Sequence, residues 1–288
     1  SGNKAWLGQP HLIKNLDAKF GDLVNGMQRY KTPGTPGIGV TRPSADVRVK
    51  VDAKEQELYR SGVGMLLYLV KHSRPDIANV VRELSKVVDG ATPAAMKELR
   101  RVIKFVLDTR TFGLKIEPKL ESKEAKWTMT VYTDSEYAGD KDTRISVGGY
   151  IIFLLGVPIL WKSKAQRSVT LSSAEAEFVA LSEAAKDIKF VAQVLESMGI
   201  KVELPIVVRV DNVGAIFMSE NVSTTSRTRH VDVRYHYVRE YVEDGFVRIL
   251  FVRSEDNLAD EFTKNVSGAL YDAHVSIYMG KKKAMERT

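Results

Sequence analysis

The sequence predicts a chain in two parts, a mainly helical part followed by an α/β part. Apolar residues recur at helical spacing through most of residues 57–107, whereas alternating β-branched and aromatic residues begin at Trp127. Between these parts, Glu117–Lys126 is polar, charged and contains a proline, which is typical of a linker. The 288 residues, 44% of them hydrophobic and 27% charged, provide enough apolar content for the cores of one large or two ordinary domains.

The first 56 residues are the least periodic part of the chain. Leu12–Phe20 has helical spacing, and Gly21 is predicted to end this helix. Residues 29–54 contain several prolines and glycines with scattered charges, which predicts an extended connector on the surface.

Three helices are predicted after this connector. Glu57–Lys71 carries an apolar stripe, and Pro75 suits the first turn of the next helix. Thr92-Pro93 supplies an N-cap and a first-turn proline for a third helix that reaches Leu107. Basic residues outnumber acidic ones across these helices. Two interpretations of this charge remain open: an ordinary solvated helix surface, or a surface that contacts the phosphates of a nucleic-acid duplex.

The α/β part is predicted to contain five strands and several helices. The strands are expected at Trp127–Asp134, Gly148–Leu154, Pro158–Ser163, Ile206–Val210 and Phe246–Val252. A turn at Gly156 joins the second and third strands as a hairpin, and a long helix is expected from Ser172 to Met198, with Gly199 as the residue that follows it. Further helices are predicted over residues 213–219, over residues 229–243 and from Leu258 onward.

Charge and composition restrict the function. A net charge of +7 leans toward an acidic polymer such as nucleic acid as a partner. Because the chain has no cysteine, disulfides, zinc–thiolate sites and thiol nucleophiles are excluded. The longest apolar stretch, Tyr150–Trp161, is interrupted by a glycine and a proline and is too short to span a bilayer, so no membrane partner is expected.

Two of the predicted strands end on an aspartate, Asp134 and Asp211. Either residue alone would most often be an ordinary turn residue. If the two strands are parallel neighbours, however, both side chains emerge at the same edge of the sheet. Two carboxylates in that position repel each other unless a cation lies between them, so a divalent metal ion is expected there.

The long helix offers two glutamates near its start. Ser172 and Glu175 form a capping box, which gives Glu175 a structural role. Glu177 lies one turn into the helix beside the apolar stripe and has no such role, so it is the preferred ligand. Asp260 is the fourth candidate, although it is also explained as a first-turn aspartate that complements a helix dipole.

A set of oxygen ligands without cysteine or histidine favours Mg²⁺ or Mn²⁺ over zinc. Two such ions roughly 3.5–4 Å apart can activate a water and stabilise a leaving oxygen in phosphoryl transfer. The chemistry that fits this set is phosphodiester hydrolysis.

Several motifs in this order resemble a known family. They are Tyr132-Thr133-Asp134, the run from Ser172 to Leu181, Val210-Asp211-Asn212, Asn257-Leu258-Ala259-Asp260, Trp161-Lys162-Ser163-Lys164, the run from Ser226 to His236, Tyr59–Leu69 and Ser73–Ala78. Together they resemble the ribonuclease H domain of copia-type (Pseudoviridae) retrotransposon polyproteins, preceded by the thumb region of the same reverse transcriptases.

The resemblance implies a ribonuclease H-like α/β fold with a five-stranded mixed sheet and flanking helices, preceded by a mainly helical thumb-like domain. It divides the chain into the end of a polymerase palm (1–56), a helical thumb-like domain (57–116), a linker (117–126) and a ribonuclease H domain (127–288). It further implies an intracellular protein, in a cytoplasmic virus-like particle or in the nucleus.

The activity that the resemblance implies is endonucleolytic cleavage of the RNA strand of an RNA–DNA hybrid, with two Mg²⁺ or Mn²⁺ ions. The ligands would be Asp134, which bridges the two ions, Glu177, Asp211 and Asp260. The family's fingers and paired-aspartate polymerase motif are missing, so DNA synthesis by this chain alone is not expected. The loop before Asp260 also lacks the histidine that many ribonucleases H carry there.

Nucleic-acid contacts are expected from a set of polar and basic residues: Asn212, Lys162, Lys164, Arg167, Arg227, Arg229, His230, Lys97, Arg101 and Lys104. Beyond a hybrid, a polymerase subunit or the remainder of a retroelement polyprotein is an expected partner. Two other classes of function stay open. One is a non-catalytic nucleic-acid-binding module, or an accessory subunit that completes a separate reverse transcriptase. The other is a DNA transposase or integrase of the same fold.

Overall fold

The computed structural model describes residues 4–40, 50–119, 126–140, 142–220 and 232–281, without the side chains of residues 232–235. The chain forms two compact units: a helical unit, Lys4–Ile116 with the chain from Lys264 onward, and a sheet unit, Glu117–Thr263. Numbered in chain order, the regular elements are β1 (Ala5–Leu7), α1 (Pro10–Val24), α2 (Ala53–His72), α3 (Ala78–Ser85), α4 (Pro93–Asp108), β2 (Phe112–Ile116), β3 (Met129–Glu136), β4 (Val147–Leu154), β5 (Val157–Ala165), α5 (Ser173–Ser197), β6 (Ile206–Val210), α6 (Val213–Glu220), α7 (Asp232–Glu243), β7 (Val247–Phe251), α8 (Gly268–Tyr278) and β8 (Met279–Lys281). Within the described ranges, no helix has the length and apolarity needed to cross a membrane.

The helices of the helical unit follow the predicted pattern, with changes at several of their ends. The hydroxyl of Thr92 accepts a hydrogen bond from the Ala95 N–H at 3.1 Å, so the predicted cap of α4 is confirmed. Helix α2 starts before the predicted Glu57, because Asp52 caps it through the Glu55 N–H at 2.8 Å. The predicted end of the first helix at Gly21 is wrong, since α1 continues for another turn and buries Val24.

A three-stranded antiparallel sheet in the helical unit was not predicted. Its order is β1-β2-β8, and it joins residues near positions 6, 114 and 280 of the chain. The indole N–H of Trp6 donates to the Gly280 carbonyl at 3.1 Å, and a Cβ placed on Gly113 would lie 2.5 Å from the Trp6 ring. Strands of three to five residues, paired across most of the chain, leave no periodic signal in the sequence.

The C-terminal part of the chain corrects the predicted domain boundary. The sequence places residues 127–288 in one domain, whereas the chain from Lys264 onward belongs to the helical unit. The side chain of Asn265 accepts a hydrogen bond from Asn79 at 3.0 Å and donates to the Ile38 carbonyl at 2.7 Å. The helix predicted from Leu258 is also wrong: a short 3₁₀ turn at Asp260–Phe262 comes first, and α8 begins only at Gly268.

A buried ion pair organises the centre of the helical unit. Arg74 and Asp76 are joined by two hydrogen bonds of 2.8 Å, and both side chains are fully buried. Arg74 also donates to the Thr109 hydroxyl at 2.9 Å, and the Tyr271 hydroxyl donates to Asp76 at 2.9 Å. The Asp76 carboxylate, both of whose oxygens accept hydrogen bonds, therefore connects α8 to the N-terminal helices.

Replacing Asp76 by alanine is expected to destabilise the protein by roughly 3–5 kcal/mol, because the Arg74 guanidinium would remain buried without its counter-charge. Chemical denaturation of the full chain measures this change. Asp89→Ala is the matched control, since its ion pair with Arg60 lies on the surface and contributes little. Equal losses in the two variants would contradict this role of Asp76.

The sheet unit contains the five-stranded mixed sheet with flanking helices that the sequence predicts. Its order is β5-β4-β3-β6-β7; β3, β6 and β7 pair in parallel, and β4 pairs antiparallel with both β3 and β5. The predicted hairpin between β4 and β5 is confirmed, with Leu155 and Gly156 at positive φ. Helix α5 packs on one face of the sheet through its predicted apolar stripe: Phe178, Leu181, Ala185 and Ile188.

The predicted cap residues lie at the ends of α5, although Glu175 accepts the N–H of Leu171 and not that of Ser172, which a capping box would use. The Ser172 hydroxyl accepts the Glu175 N–H at 3.1 Å, and Glu175 accepts the Leu171 N–H at 2.7 Å. Gly199 follows the helix with φ of 79°, a conformation that glycine adopts without strain. The start of α5 is therefore fixed beside the ends of β3 and β6.

Candidate metal centre

The sheet brings Asp134 and Asp211 to the same edge. Strands β3 and β6 are parallel neighbours, with Thr130 opposite Val207 and Tyr132 opposite Arg209. Since side chains alternate along a strand, continuing this register by two residues sets Asp134 beside Asp211 on one face. The parallel arrangement that the sequence argument required is thus present.

Glu177 completes a group of three carboxylates, which we call the acidic group: Asp134, Glu177 and Asp211. One oxygen atom from each of these residues lies within 4.8 Å of the others. Asp134 and Glu177 are buried, and Asp211 is half-buried. Glu175 is not a member, because its carboxylate is used in the cap of α5. The preference for Glu177 over Glu175 as a candidate ligand is therefore supported by the geometry.

The environment of Glu177 disfavours its negative charge. Burial raises the pKa of this carboxyl well above its ordinary range, and the charges of Asp134 and Asp211 raise it further. Hydrogen bonds from the Ser135 N–H and hydroxyl to Glu177 Oε1, at 2.9 and 3.0 Å, act in the opposite direction. Glu177 Oε2 is buried and has no hydrogen-bond partner within the described residues. A divalent cation would satisfy this oxygen and remove the repulsion, so the residues fit a metal site.

Asp260 is buried near β3 but is not one of the three grouped carboxylates in the described structure. The turn that carries it is tied to β3, because Asn257 Nδ2 donates to the Thr133 carbonyl at 2.9 Å. Directly opposite Asp134, on β4, is Gly149, where a Cβ would lie 2.6 Å from Phe262 Cβ. Glycine at this position lets the Asp260 turn pack against the sheet.

Hydroxyl groups around the acidic group were not predicted. Ser254 donates to Asp211 Oδ2 at 2.7 Å, and Thr263 donates to Asp134 Oδ2. Serine and threonine are frequent in turns and caps, so their presence near a motif gives no specific signal. Only the folded chain shows which hydroxyl reaches which carboxylate.

Comparison with known proteins identifies the family. No family model matches the chain. A Pol polyprotein from transposon RE1 of Arabidopsis thaliana is 34% identical over 218 residues, 76% of this chain and 14% of that protein. A Pol polyprotein from transposon TNT 1-94 of Nicotiana tabacum is 31% identical over 274 residues, 92% of this chain and 19% of that protein. The chain belongs to the copia-type retrotransposon Pol family. It spans less than a fifth of the length of these two polyproteins.

Among solved structures, LC11-RNase H1 in complex with an RNA/DNA hybrid is similar to part of this copia-type chain. The likeness covers 47% of this chain and 94% of that one, at 17% identity and a TM-score of 0.37.

In the sheet unit of this copia-type chain, the residues predicted to contact nucleic acid lie in different environments. Lys164 and Arg167 are exposed and line a cavity of about 60 Å³ between α5 and the β4–β5 hairpin. Lys162 lines the same cavity but forms an ion pair with Asp187 at 2.6 Å. Asn212 accepts the Ala215 N–H at 3.1 Å, so its side-chain oxygen caps α6. Arg227, Arg229 and His230 lie outside the described residues.

In the helical unit, two of the three residues predicted to contact nucleic acid form bonds with other residues of the chain. Arg101 donates to the carbonyls of Thr32, Pro33 and Gly34 and stacks on a tyrosine ring. Lys104 pairs with Asp108 at 2.6 Å. Lys97 is exposed on α4. The positions of Arg101 and Lys104 thus favour a structural role over phosphate contact.

Proposed function

We propose that this region of the polyprotein hydrolyses the RNA strand of RNA–DNA hybrids endonucleolytically, with two Mg²⁺ or Mn²⁺ ions. The observation that carries the proposal is the acidic group, whose member Glu177 has a buried oxygen without a hydrogen-bond partner in the described chain. Such a group is costly to fold unless a cation is bound, which is the expected property of a metal site.

The acidic group would hold the metal ions, with Asp260 as a further ligand from the adjacent turn. When bound, divalent ions lower the pKa of water and stabilise negative charge on phosphate oxygens. The chain itself holds the three carboxylates in position. Strands β3 and β6 fix Asp134 and Asp211 at a rigid sheet edge, and α5 holds Glu177 over it. Ser135 orients Glu177 through two hydrogen bonds.

The charge of the chain and several of its polar side chains favour a nucleic acid as the substrate. A net charge of +7 favours a polyanion. We assign phosphate contacts to Lys164, Arg167, Arg227, Arg229 and His230, with a lesser contribution from Lys162 because of its ion pair. Asn212 directly follows a carboxylate of the acidic group, and its amide N–H groups would bond the 2′-hydroxyl that distinguishes RNA from DNA.

The helical unit offers a surface on α2 that fits a thumb-like role in gripping a duplex. Gly64 lies in the middle of this helix, and a Cβ placed there would meet nothing within 4 Å. A helix-interior glycine costs about 1 kcal/mol relative to alanine. Since no packing within the described chain requires Gly64, close approach by a ligand would explain it. Leu67 and Tyr68, 45% and 54% exposed, flank this position. Lys97 supplies a cation elsewhere on the unit.

A cleavage assay on labelled substrates tests the proposal. The full chain is expected to cut the RNA strand of a hybrid in the presence of Mg²⁺ or Mn²⁺, to be inactive in EDTA, and to leave duplex DNA and the DNA strand of the hybrid intact. Retention of hybrid without metal-dependent cleavage would instead identify a binding module or an accessory subunit of a separate polymerase. Cleavage of duplex DNA would indicate a transposase-like or integrase-like enzyme.

A further inference from the structure

Each carboxylate of the acidic group accepts a hydrogen bond from a serine or threonine hydroxyl. Ser135 Oγ donates to Glu177 Oε1 at 3.0 Å, and Ser254 Oγ donates to Asp211 Oδ2 at 2.7 Å. Thr263 Oγ1 donates to Asp134 Oδ2. The three hydroxyls come from β3, from the turn after β7 and from the end of the Asp260 turn. They form one orienting contact for each carboxylate.

Burial separates Thr263 from the two serines. The Thr263 side chain is fully buried, Ser135 is half-buried, and Ser254 is exposed. Water can replace a lost hydroxyl at an exposed position. Thr263 is buried, so water cannot take the place of its hydroxyl, and its removal costs the Asp134 carboxylate one hydrogen bond. Of the three hydroxyl contacts, the one between Thr263 and Asp134 is thus the one that solvent cannot replace.

The Thr263 proton is directed to Asp134 rather than to the neighbouring backbone. The Asp260 carbonyl lies 3.0 Å from Thr263 Oγ1, but it also accepts the Thr263 N–H at 3.1 Å. A carboxylate is a stronger acceptor than a backbone carbonyl, and this carbonyl already accepts the Thr263 N–H, so the stronger hydrogen bond from the hydroxyl goes to Asp134.

Gly149 makes this contact possible. It is the direct β4 partner of Asp134, and a Cβ placed on it would lie 2.9 Å from Thr263 Cγ2. Any larger residue would push the turn away from the sheet. The absence of a side chain at position 149 therefore keeps the hydroxyl beside the carboxylate.

We propose that Thr263 is a positioning residue that holds the Asp134 carboxylate in the orientation required for binding divalent metal. The effect of Thr263 on cleavage rests on the proposed function. Its effect on metal affinity can be measured separately. Neither the strand-end pattern nor the spacing of the acids assigns a task to Thr263.

Thr263→Val in the full chain, compared with wild type and Thr263→Ser, tests the inference. Valine keeps the shape and removes the donor, whereas serine keeps the donor. Titration with Mn²⁺, followed by calorimetry and by the rise in melting temperature, is expected to show an apparent dissociation constant about 10–100-fold higher in Thr263→Val. In hybrid cleavage, kcat should fall while KM for the hybrid is unchanged. Thr263→Ser should restore both measurements to within a few-fold of wild type.

Thr170→Val is the matched control. It removes another buried threonine hydroxyl of the sheet unit, bonded to Ser146 Oγ at 2.8 Å. It should lower the melting temperature and leave Mn²⁺ affinity unchanged. Wild-type Mn²⁺ affinity in Thr263→Val, an equal loss in Thr170→Val, or no restoration by serine would each overturn the inference.

If Thr263→Val does not fold, Gly149→Ala displaces the same contact, and unchanged Mn²⁺ affinity in it would overturn the inference. If wild type binds Mn²⁺ but cuts no hybrid, the proposed function fails and the titration still decides the role of Thr263.

Discussion

Replacing Asp134 by asparagine is expected to abolish metal-dependent cleavage of an RNA–DNA hybrid. Asparagine keeps the shape and can still accept the hydrogen bond from Thr263, but it removes one of three charges that lie close together. We expect a loss of more than about 100-fold, because removing a group that only supports a metal ligand already costs roughly 10–100-fold. The comparison of cleavage rates at saturating Mg²⁺ measures it, and Asp211→Asn should behave alike.

Folding and hybrid binding should survive this change. Without metal, the three carboxylates repel one another, so removing one charge leaves the free energy of unfolding unchanged or raises it. Glu203→Gln is a suitable control, since this glutamate pairs with Lys126 at the surface of the same unit. It should cut hybrid at the wild-type rate. Full activity in Asp134→Asn would exclude the acidic group as the catalytic centre.

The sequence predicted the sheet unit well because its signals are local. Alternating residues define five strands, and Ser172 with Glu175 marks the start of α5. Two strands end on aspartates, and Glu177 remains as a candidate ligand once Glu175 is assigned to the cap. Only the strand order is then needed to predict the acidic group. That order could not be derived from the pattern. It followed from the assumption that β3 and β6 are parallel neighbours, which the structure confirms.

The predictions failed where pairing connects distant residues. The sheet β1-β2-β8 joins strands more than 100 residues apart, and each strand is too short to show a period. For the same reason, no local pattern separates the chain after Thr263 from the sheet unit. Asn265 and Tyr271 hold that segment in the helical unit through side-chain hydrogen bonds.

Basic residues were also hard to assign. A helical pattern shows that Arg101 lies off the core stripe, but it does not show that three backbone carbonyls accept hydrogen bonds from its guanidinium.

Replacing Glu177 by glutamine is expected to impair cleavage and, at the same time, to stabilise the metal-free protein at neutral pH. Burial, with the neighbouring charges of Asp134 and Asp211, raises the pKa of Glu177 in the folded state. The folded state therefore binds the proton more tightly than the unfolded chain does. Stability from this group is fully present below the ordinary pKa of 4.5 and is lost as the pH rises through the raised value.

Glutamine removes that loss, because it stays neutral at every pH. The difference in melting temperature between Glu177→Gln and wild type should be near zero below pH 4.5 and should grow as the pH rises. Thermal unfolding in EDTA across this range measures it. Addition of Mg²⁺ should raise the melting temperature of wild type and have little effect on Glu177→Gln. The same variant should lose more than about 100-fold in hybrid cleavage, as argued for Asp134 from the sensitivity of metal sites.

Glu175→Gln separates this effect from a general effect of charge at the start of α5. The two glutamates are two residues apart, but Glu175 is only half-buried and its carboxylate accepts the Leu171 N–H, a bond that a glutamine oxygen can also accept. Glu175→Gln should therefore keep nearly full cleavage and should melt in EDTA close to wild type. If Glu175→Gln were the more damaging change, or if Glu177→Gln melted below wild type at neutral pH in EDTA, Glu177 would not be the buried member of a metal site. The two substitutions differ only in position on the helix, so the contrast between them depends on burial and on proximity to Asp134 and Asp211.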